Sequence, residues 1–222
     1  NLMDLAPTFM EIGGAKIPPG VNGKSIVSVM KSGKSGRVEP ERDYVITGRE
    51  RHVSIAREGN LPYPQRALRK DGWLYIHNFK PERMPMGDYK NLTDSFTPDQ
   101  DSLENNTYEA FPDMDSSPAK AWLIAHRNDS QYKWHFDYAF AKRPQEELYD
   151  LSKDPDATIN IAAEPAHAAK KAEMAAELMG KLKAVGDPRV TQDPVPFELP
   201  PFTLDTKSGE AGAKKKGKGK KK

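Results

Sequence analysis

The chain has no cysteine, so a disulfide framework and a thiolate metal site are both excluded, although the compartment stays open. No apolar run approaches the roughly 18–20 residues that span a bilayer. The first residue is Asn1, not methionine, and nothing near it resembles a signal peptide. That beginning reads as the middle of a longer protein. G-x-S-x-G is missing, as is any thiol nucleophile. The five histidines, His52, His77, His126, His135 and His167, form no HxH or HExxH pair, so no zinc site can be composed from spacing. Gly23-Lys24-Ser25 and Gly33-Lys34-Ser35 imitate a phosphate loop, but the required earlier glycines are Pro18 and Ser28. Both read as solvated turns.

The formal net charge of +2 over 222 residues is misleading. Eight lysines and one glutamate lie in Lys207–Lys222, leaving a body of 26 basic and 31 acidic residues. A specific nucleic-acid role gains no support from that balance. The tail reads as disordered, able to meet an acidic surface through charge alone.

Along the chain, Asp4 is placed to cap a short helix whose Leu5, Phe9 and Ile12 share a docking face. Pro7 falls in its first turn and the Gly13-Gly14 pair ends it. Tyr44 to Thr47 is a short β-branched run, read as a strand over Tyr44–Gly48. RALRK and WLYIHNF flank Asp71-Gly72, a type I′ hairpin signal. Trp73, Tyr75, His77 and Phe79 alternate with Leu74, Ile76 and Asn78, which predicts a sheet of at least three strands covered on both faces. His77 among aromatics reads as structural. Residues 81–146 carry little periodicity and read as a long insert, with a helix over 118–127 facing Trp122 and Leu123 inward. EELYDL is a further strand. A helix over 165–185 places Ala168, Ala172, Ala175, Met179 and Leu182 on one face. Beyond Gly186 the chain is extended and proline-rich, with Phe197 and Phe202 as anchors.

Chemistry concentrates at one sheet edge. Glu50, Arg51, His52 and Arg57 lie at and beyond the end of a strand, and Arg66 begins the next. Guanidiniums read sulfate or carboxylate with paired donors, so the cluster can bind an anionic, hydroxyl-rich ligand. The competing reading is an ordinary charged strand end.

Four ordered segments resemble the C-terminal part of a sulfatase of the alkaline-phosphatase superfamily: DLAPTFMEIGG at 4–14, VNGKSI at 21–26, GRERH to PMGD at 48–88, and KRPQEELYDLSKDPDATINIA at 142–162. The pattern is most similar to bacterial exported sulfatases and the heparan N-sulfatase branch. The resemblance implies an α/β protein whose smaller α+β C-terminal subdomain packs a four-stranded antiparallel sheet on a C-terminal helix. Strands at 43–48, 65–70, 73–79 and 147–151 fit it. The implied organisation is residues 1–40 as the end of the large catalytic domain with its connector, and 41–186 as the subdomain with insert 81–146. An extended segment at 187–206 and the tail at 207–222 complete it.

The implied reaction is hydrolysis of a sulfate ester or sulfamate on carbohydrate, outside the cytoplasm. It uses a formylglycine made from Cys or Ser in C/S-x-P-x-R, and a calcium ion held by Asp and Asn. The nearest string, Ser116-Ser117-Pro118-Ala119-Lys120, ends in Lys and falls after the C-terminal motifs. Nucleophile and metal site are therefore expected upstream, in a missing N-terminal catalytic domain, and the chain alone is expected to be inactive. What carries over is a pocket rim: Arg51, His52 and Arg66 as substrate-binding residues, with Glu50 orienting them. A non-catalytic carbohydrate- or surface-binding module is the alternative.

Overall fold

The structure, a computed structural model, describes residues 1–202; the lysine-rich tail lies outside the described residues. The chain divides into two compact units, Asn1–Val45 with Arg69–Gly72, and Ile46–Leu68 with the chain from Trp73 onward.

The first unit carries α1 (Leu5–Ile12) and α2 (Val27–Lys31). Gly14, at φ +67°, supplies the left-handed turn after α1. Two expectations fail here. Asp4 stands at the N-cap of α1, but its side chain makes no capping hydrogen bond, because its backbone is already helical at the end of a 3-10 turn over Leu2–Asp4. Its carboxylate instead accepts from Lys24 N at 2.8 Å and Arg42 Nη1 at 3.1 Å. Nor does the apolar face dock: Phe9 and Ile12 are 65% and 62% exposed. The buried face is Pro7 and Thr8. Thr8 Oγ1 donates to Asp4 O at 2.6 Å and accepts from Ile26 N at 3.0 Å, which turns that side of the helix toward the 24–27 segment.

The strands form a four-stranded antiparallel sheet, β1 (Tyr44–Arg49), β2 (Gln65–Lys70), β3 (Trp73–Asn78) and β4 (Glu146–Asp150), in the order β1-β2-β3-β4. Asp71 and Gly72 take φ +47° and +79°, as the hairpin signal requires. In the register of β3 and β4, Trp73 faces Asp150, Tyr75 faces Leu148 and His77 faces Glu146.

Between β3 and β4 the insert forms α3 (Gln100–Asn105), α4 (Pro118–Ala125) and α5 (Lys133–Phe140). Asp99 and Ser117 cap the first two, accepting from Ser102 N and Lys120 N. The insert has its own core, in which Leu92, Leu103, Phe111, Ile124, Phe136 and Phe140 are buried. Phe111 stacks on Phe140 with ring centroids 4.3 Å apart. Trp122, expected inward, is 42% exposed, while Ala121 and Ile124 are buried. Buried Lys120 shares that inner side, its Nζ donating to the carbonyls of Thr107, Phe111 and Met114 at 3.1, 3.2 and 2.7 Å.

After β4 come α6 (Ala168–Ala184) and α7 (Pro188–Thr191). Helix α6 covers one sheet face, packing Met174, Leu178 and Leu182 with Leu68, Tyr75 and Leu148. The seam runs through Met174, Leu178 and Leu182; of the row read in the sequence Leu182 is in it and Ala175 and Met179 pack against it, while Ala168 and Ala172 are exposed. Burial of the larger side chains contributes more than burial of alanine, so the helix turns them inward. The opposite face carries buried Asn78, whose Nδ2 donates to Glu147 Oε1 at 2.7 Å, and Tyr149, whose hydroxyl donates to Glu147 Oε2 at 2.6 Å.

Candidate functional site

Adjacency of β1 and β2 brings the end of one strand, Glu50, beside the start of the next, Arg66. Gly48 makes room: a Cβ there would lie 2.8 Å from Arg66 Cδ. All five Arg66 N–H groups are engaged. Nε donates to Asp187 Oδ2 at 2.7 Å, and Nη2 to Asp187 Oδ1 at 3.1 Å and Glu50 Oε1 at 2.8 Å. Nη1 donates to the carbonyls of Arg49 and Gln65 at 3.2 and 2.9 Å.

The chain of charges continues. Glu50 accepts from Arg189 Nε at 3.2 Å and pairs with Arg189 Nη2. Arg189 Nη1 donates to Glu198 Oε1 at 2.5 Å. Arg83 Nη2 donates to Glu198 Oε2 at 2.8 Å, and Arg83 Nη1 to Pro62 O at 2.8 Å. Burial alone would raise the carboxyls of Asp187 and Glu198, but their guanidinium bonds outweigh it and both fall below the usual range. Burial would likewise lower Arg66, and its bonds to Asp187 and Glu50 reverse that. This alternation straps the 187–198 segment across the strand ends.

A second cluster follows β1. Buried Arg57 donates through Nε to Met84 O at 2.7 Å, and through Nη2 to Pro85 O at 2.7 Å and Asp113 Oδ2 at 2.5 Å. Asp113 Oδ1 accepts from Val53 N at 3.1 Å and lies 3.9 Å from His52 Nδ1. The His52 side chain is 62% exposed above that carboxylate. Arg49 and Arg57 lie 5.0 and 5.5 Å from the Tyr63 ring centroid. Burial, with Glu147 adding to it, pushes the Tyr63 hydroxyl up to about 12, while burial pulls Arg49 down.

Among the described residues, the buried polar atoms Arg49 Nε, Arg57 Nη1, Asn60 Nδ2 and Tyr63 Oη in this short stretch find no hydrogen-bond partner. Ile55, β-branched, sits at φ +59°. Strain and unpaired polar groups each cost about 1–3 kcal/mol. Their concentration in residues 49–63 marks a segment shaped by more than stability.

Arg51 lines a cleft of about 260 Å³ with Pro62 and residues of the 196–202 segment. Its guanidinium carbon lies 5.3 Å from the Phe202 ring centroid. Arg57, Arg83, Asp88, Tyr89 and Lys142 line a neighbouring cleft of about 390 Å³.

Two curated proteins from Formosa agariphila, both ulvan-active sulfatases, align with this chain. The first is 29% identical over 184 residues, 83% of this chain and 29% of its own length. The second is 26% identical over 190 residues, 84% of this chain and 26% of its own length. The chain is similar to sulfatases. It spans less than a third of the length of either relative. No family model matches. Among solved structures, a protein in complex with its substrate D-glucosamine-2-N,6-O-disulfate aligns with TM-score 0.45 and 17% identity, over 85% of this chain and 25% of its own. A 2-O GAG sulfatase aligns with TM-score 0.43 and 18% identity, over 83% of this chain and 25% of its own. At these scores the two alignments carry no further argument.

The formylglycine and calcium expected from the sequence resemblance do not fit the residues present. The chain has no cysteine, its nearest serine string, Ser116-Ser117-Pro118-Ala119-Lys120, lacks the arginine, and among the described residues no group of three or more His, Asp or Glu could hold a metal ion. Nor, among the described residues, is any helix long and apolar enough to cross a membrane.

Of the residues singled out by sequence, Glu50 and Arg66 meet directly at 2.8 Å. Arg51 opens on the cleft and His52 stands over Asp113. His77 is half-buried, with Tyr75 Oη 3.3 Å from its Nδ1 and an edge contact to Phe79. Sequence reasoning missed Asp187, Arg189, Glu198 and Asp113, which carry no local pattern and meet their partners across 121, 139, 9 and 56 residues.

Proposed function

We propose that this chain is the C-terminal portion of a sulfatase, a sulfuric ester or sulfamate hydrolase acting on exported-side sulfated carbohydrate, with nucleophile and calcium site in sequence upstream of Asn1. The observation that carries this reading is the similarity to two ulvan-active sulfatases along more than four-fifths of the chain. In this reading Arg51 and His52 face the substrate from the pocket wall. Arg66 and Glu50, fully engaged with neighbouring side chains, hold that wall in place. Arg51 presents a guanidinium suited to a sulfate oxyanion. His52 presents an exposed imidazole, oriented from beneath by Asp113, for sugar hydroxyls.

The test is sulfate release from sulfated polysaccharides by the chain alone and by the chain joined to its upstream coding sequence. The joined protein is expected to release sulfate and the chain alone to release none. A joined protein lacking both C/S-x-P-x-R and activity overturns the enzyme reading; turnover by the chain alone overturns the placement of the chemistry upstream.

One observation favours a second reading: Arg51 and the apolar residues Pro62, Phe197, Leu199 and Phe202 line one cleft. In that reading the chain is a non-catalytic module that binds sulfated glycan. Retention of the chain on a sulfated-glycan array, with an inactive joined protein, would select it.

A further inference from the structure

Three of the buried donors after β1 belong to side chains gathered about one ring. Tyr63 has no exposed surface, and the guanidinium carbons of Arg49 and Arg57 lie 5.0 and 5.5 Å from its ring centroid. Both arginines also spend an Nη2 donor on the same oxygen, Pro85 O, at 2.8 and 2.7 Å. Two like charges are thereby held together, largely out of water. Each of the three side chains keeps one atom that finds no partner among the described residues: Arg49 Nε, Arg57 Nη1 and Tyr63 Oη.

The charges here do not balance. Three guanidiniums, those of Arg49, Arg57 and Arg143, stand against two carboxylates, Asp113 and Glu147, which leaves one positive charge in excess. The carboxylates are already engaged. Asp113 accepts from Arg57 Nη2 and Val53 N, and Glu147 from the Asn78 amide and the Tyr149 hydroxyl. Arg49 forms no ion pair among the described residues; its Nη2 bond goes to a neutral carbonyl. Burial pulls its guanidinium down, Asp113 opposing this and Arg57 adding to it. Burial also keeps the proton on Tyr63, so its hydroxyl stays a donor, and guanidinium nitrogens can only donate.

What this place lacks is an acceptor that carries negative charge. A water accepts from such a set, but it brings two hydrogens of its own and no charge. An anion accepts from all three donors and offsets a charge that burial makes costly. The anion has to be small, because Arg57 and Tyr63 are 4% and 0% exposed. It has to be monovalent, because the excess is a single charge. A sulfate ester on a sugar ring is too large for such a space.

We propose that Arg49, Arg57 and Tyr63 enclose a site for one small monovalent anion of halide size. Bound there, it joins the end of β1 to the segment that follows it. The proposal goes beyond the carbohydrate reading and does not depend on it.

The experiment is urea unfolding of the full 222-residue chain at constant ionic strength, with sodium chloride replacing sodium gluconate, whose anion is too large to enter. A ligand that binds only the folded chain raises stability with the logarithm of its concentration. The unfolding midpoint is expected to rise with chloride. Arg49→Met should abolish the rise, and Tyr63→Phe should weaken the chloride affinity about ten-fold, the size of one hydrogen bond to a charged group. Both variants keep the lysine-rich tail, so a rise undiminished in them places the chloride elsewhere and overturns the proposal. Equal midpoints of the parent in chloride and gluconate overturn it too. Crystals of the parent soaked in bromide need no variant: an anomalous peak within hydrogen-bond distance of Tyr63 Oη and Arg57 Nη1 supports the site, and water density without anomalous signal there refutes it.

Discussion

Arg66 and Asp187, 121 residues apart in sequence, meet in a two-point ion pair of 2.7 and 3.1 Å. One end lies at the start of a central strand and the other just beyond the last long helix. The pair closes the second unit on itself and determines where the chain after α6 must run.

Removing Arg66 should therefore do more than delete a charge. Arg66→Ala leaves half-buried Asp187 without its main partner and Glu50 with Arg189 alone, and breaking a buried pair costs up to about 3–5 kcal/mol. Arg66→Lys should recover little of that, since a point charge cannot make the same five-donor fork. Urea unfolding of the two variants beside the parent reads both; a loss under about 1 kcal/mol for the alanine variant contradicts the brace.

The strap should be acid-sensitive. Asp187 and Glu198 are held below their ordinary values of 3.8 and 4.5, because guanidinium bonds outweigh burial. Below about those values the unfolded chain binds protons that the folded chain resists, so stability falls with falling pH and is present above them. Hydrogen exchange at residues 187–198 is expected to quicken below about pH 4. Glu198→Gln, which cannot ionise, should flatten the pH dependence of the unfolding midpoint in that window.

Gly48 is a packing requirement. Its absent side chain is the space Arg66 passes through, at 2.8 Å from an ideal Cβ. Gly48→Ala should displace an arginine that has no unused donor with which to compensate, at a cost of about 1–3 kcal/mol. Thermal unfolding measures it, and in an Arg66→Ala background the same substitution should cost markedly less. Equal cost in both backgrounds means that Gly48 matters for another reason.

Lys120 offers a test of the insert core. Burial, only partly opposed by Asp115, pulls its ammonium down to about 8. Between that value and the ordinary 10.5 the unfolded chain holds the extra proton, so this group makes stability rise with pH there. Lys120→Met removes the rise and leaves the carbonyls of Phe111 and Met114 without their donor, a loss of about 1–3 kcal/mol near neutral pH. The difference between parent and variant, followed from pH 7 to about 9.5 by urea unfolding, should widen in favour of the parent.

Much of the sheet was legible because its signals are local. The Asp71-Gly72 turn needs two positive φ angles, and these two residue types adopt them. Alternation in WLYIHN and the run EELYD located β3 and β4 within a residue. Faces of helices were harder. In α1 and α4 the aromatic residues Phe9 and Trp122 remain exposed, because hydrogen bonds of Thr8 and Lys120 hold the other side inward. The core of the insert escaped notice because it gathers single residues, such as Leu92, Phe111 and Phe140, from short elements with no shared period.

The region following β1 was located by sequence alone: Glu50, Arg51, His52 and Arg66 are charged or imidazole side chains at adjoining strand ends, and pairing of β1 with β2 makes them neighbours. Their division of labour was decided by tertiary structure. That Arg66, Glu50 and Arg83 are tied into one strap depends on Asp187, Arg189 and Glu198, brought in from more than a hundred residues away. Such contacts leave no period or spacing in the sequence, since they are selected by the path of the folded chain and by the cost of burying an unpaired charge.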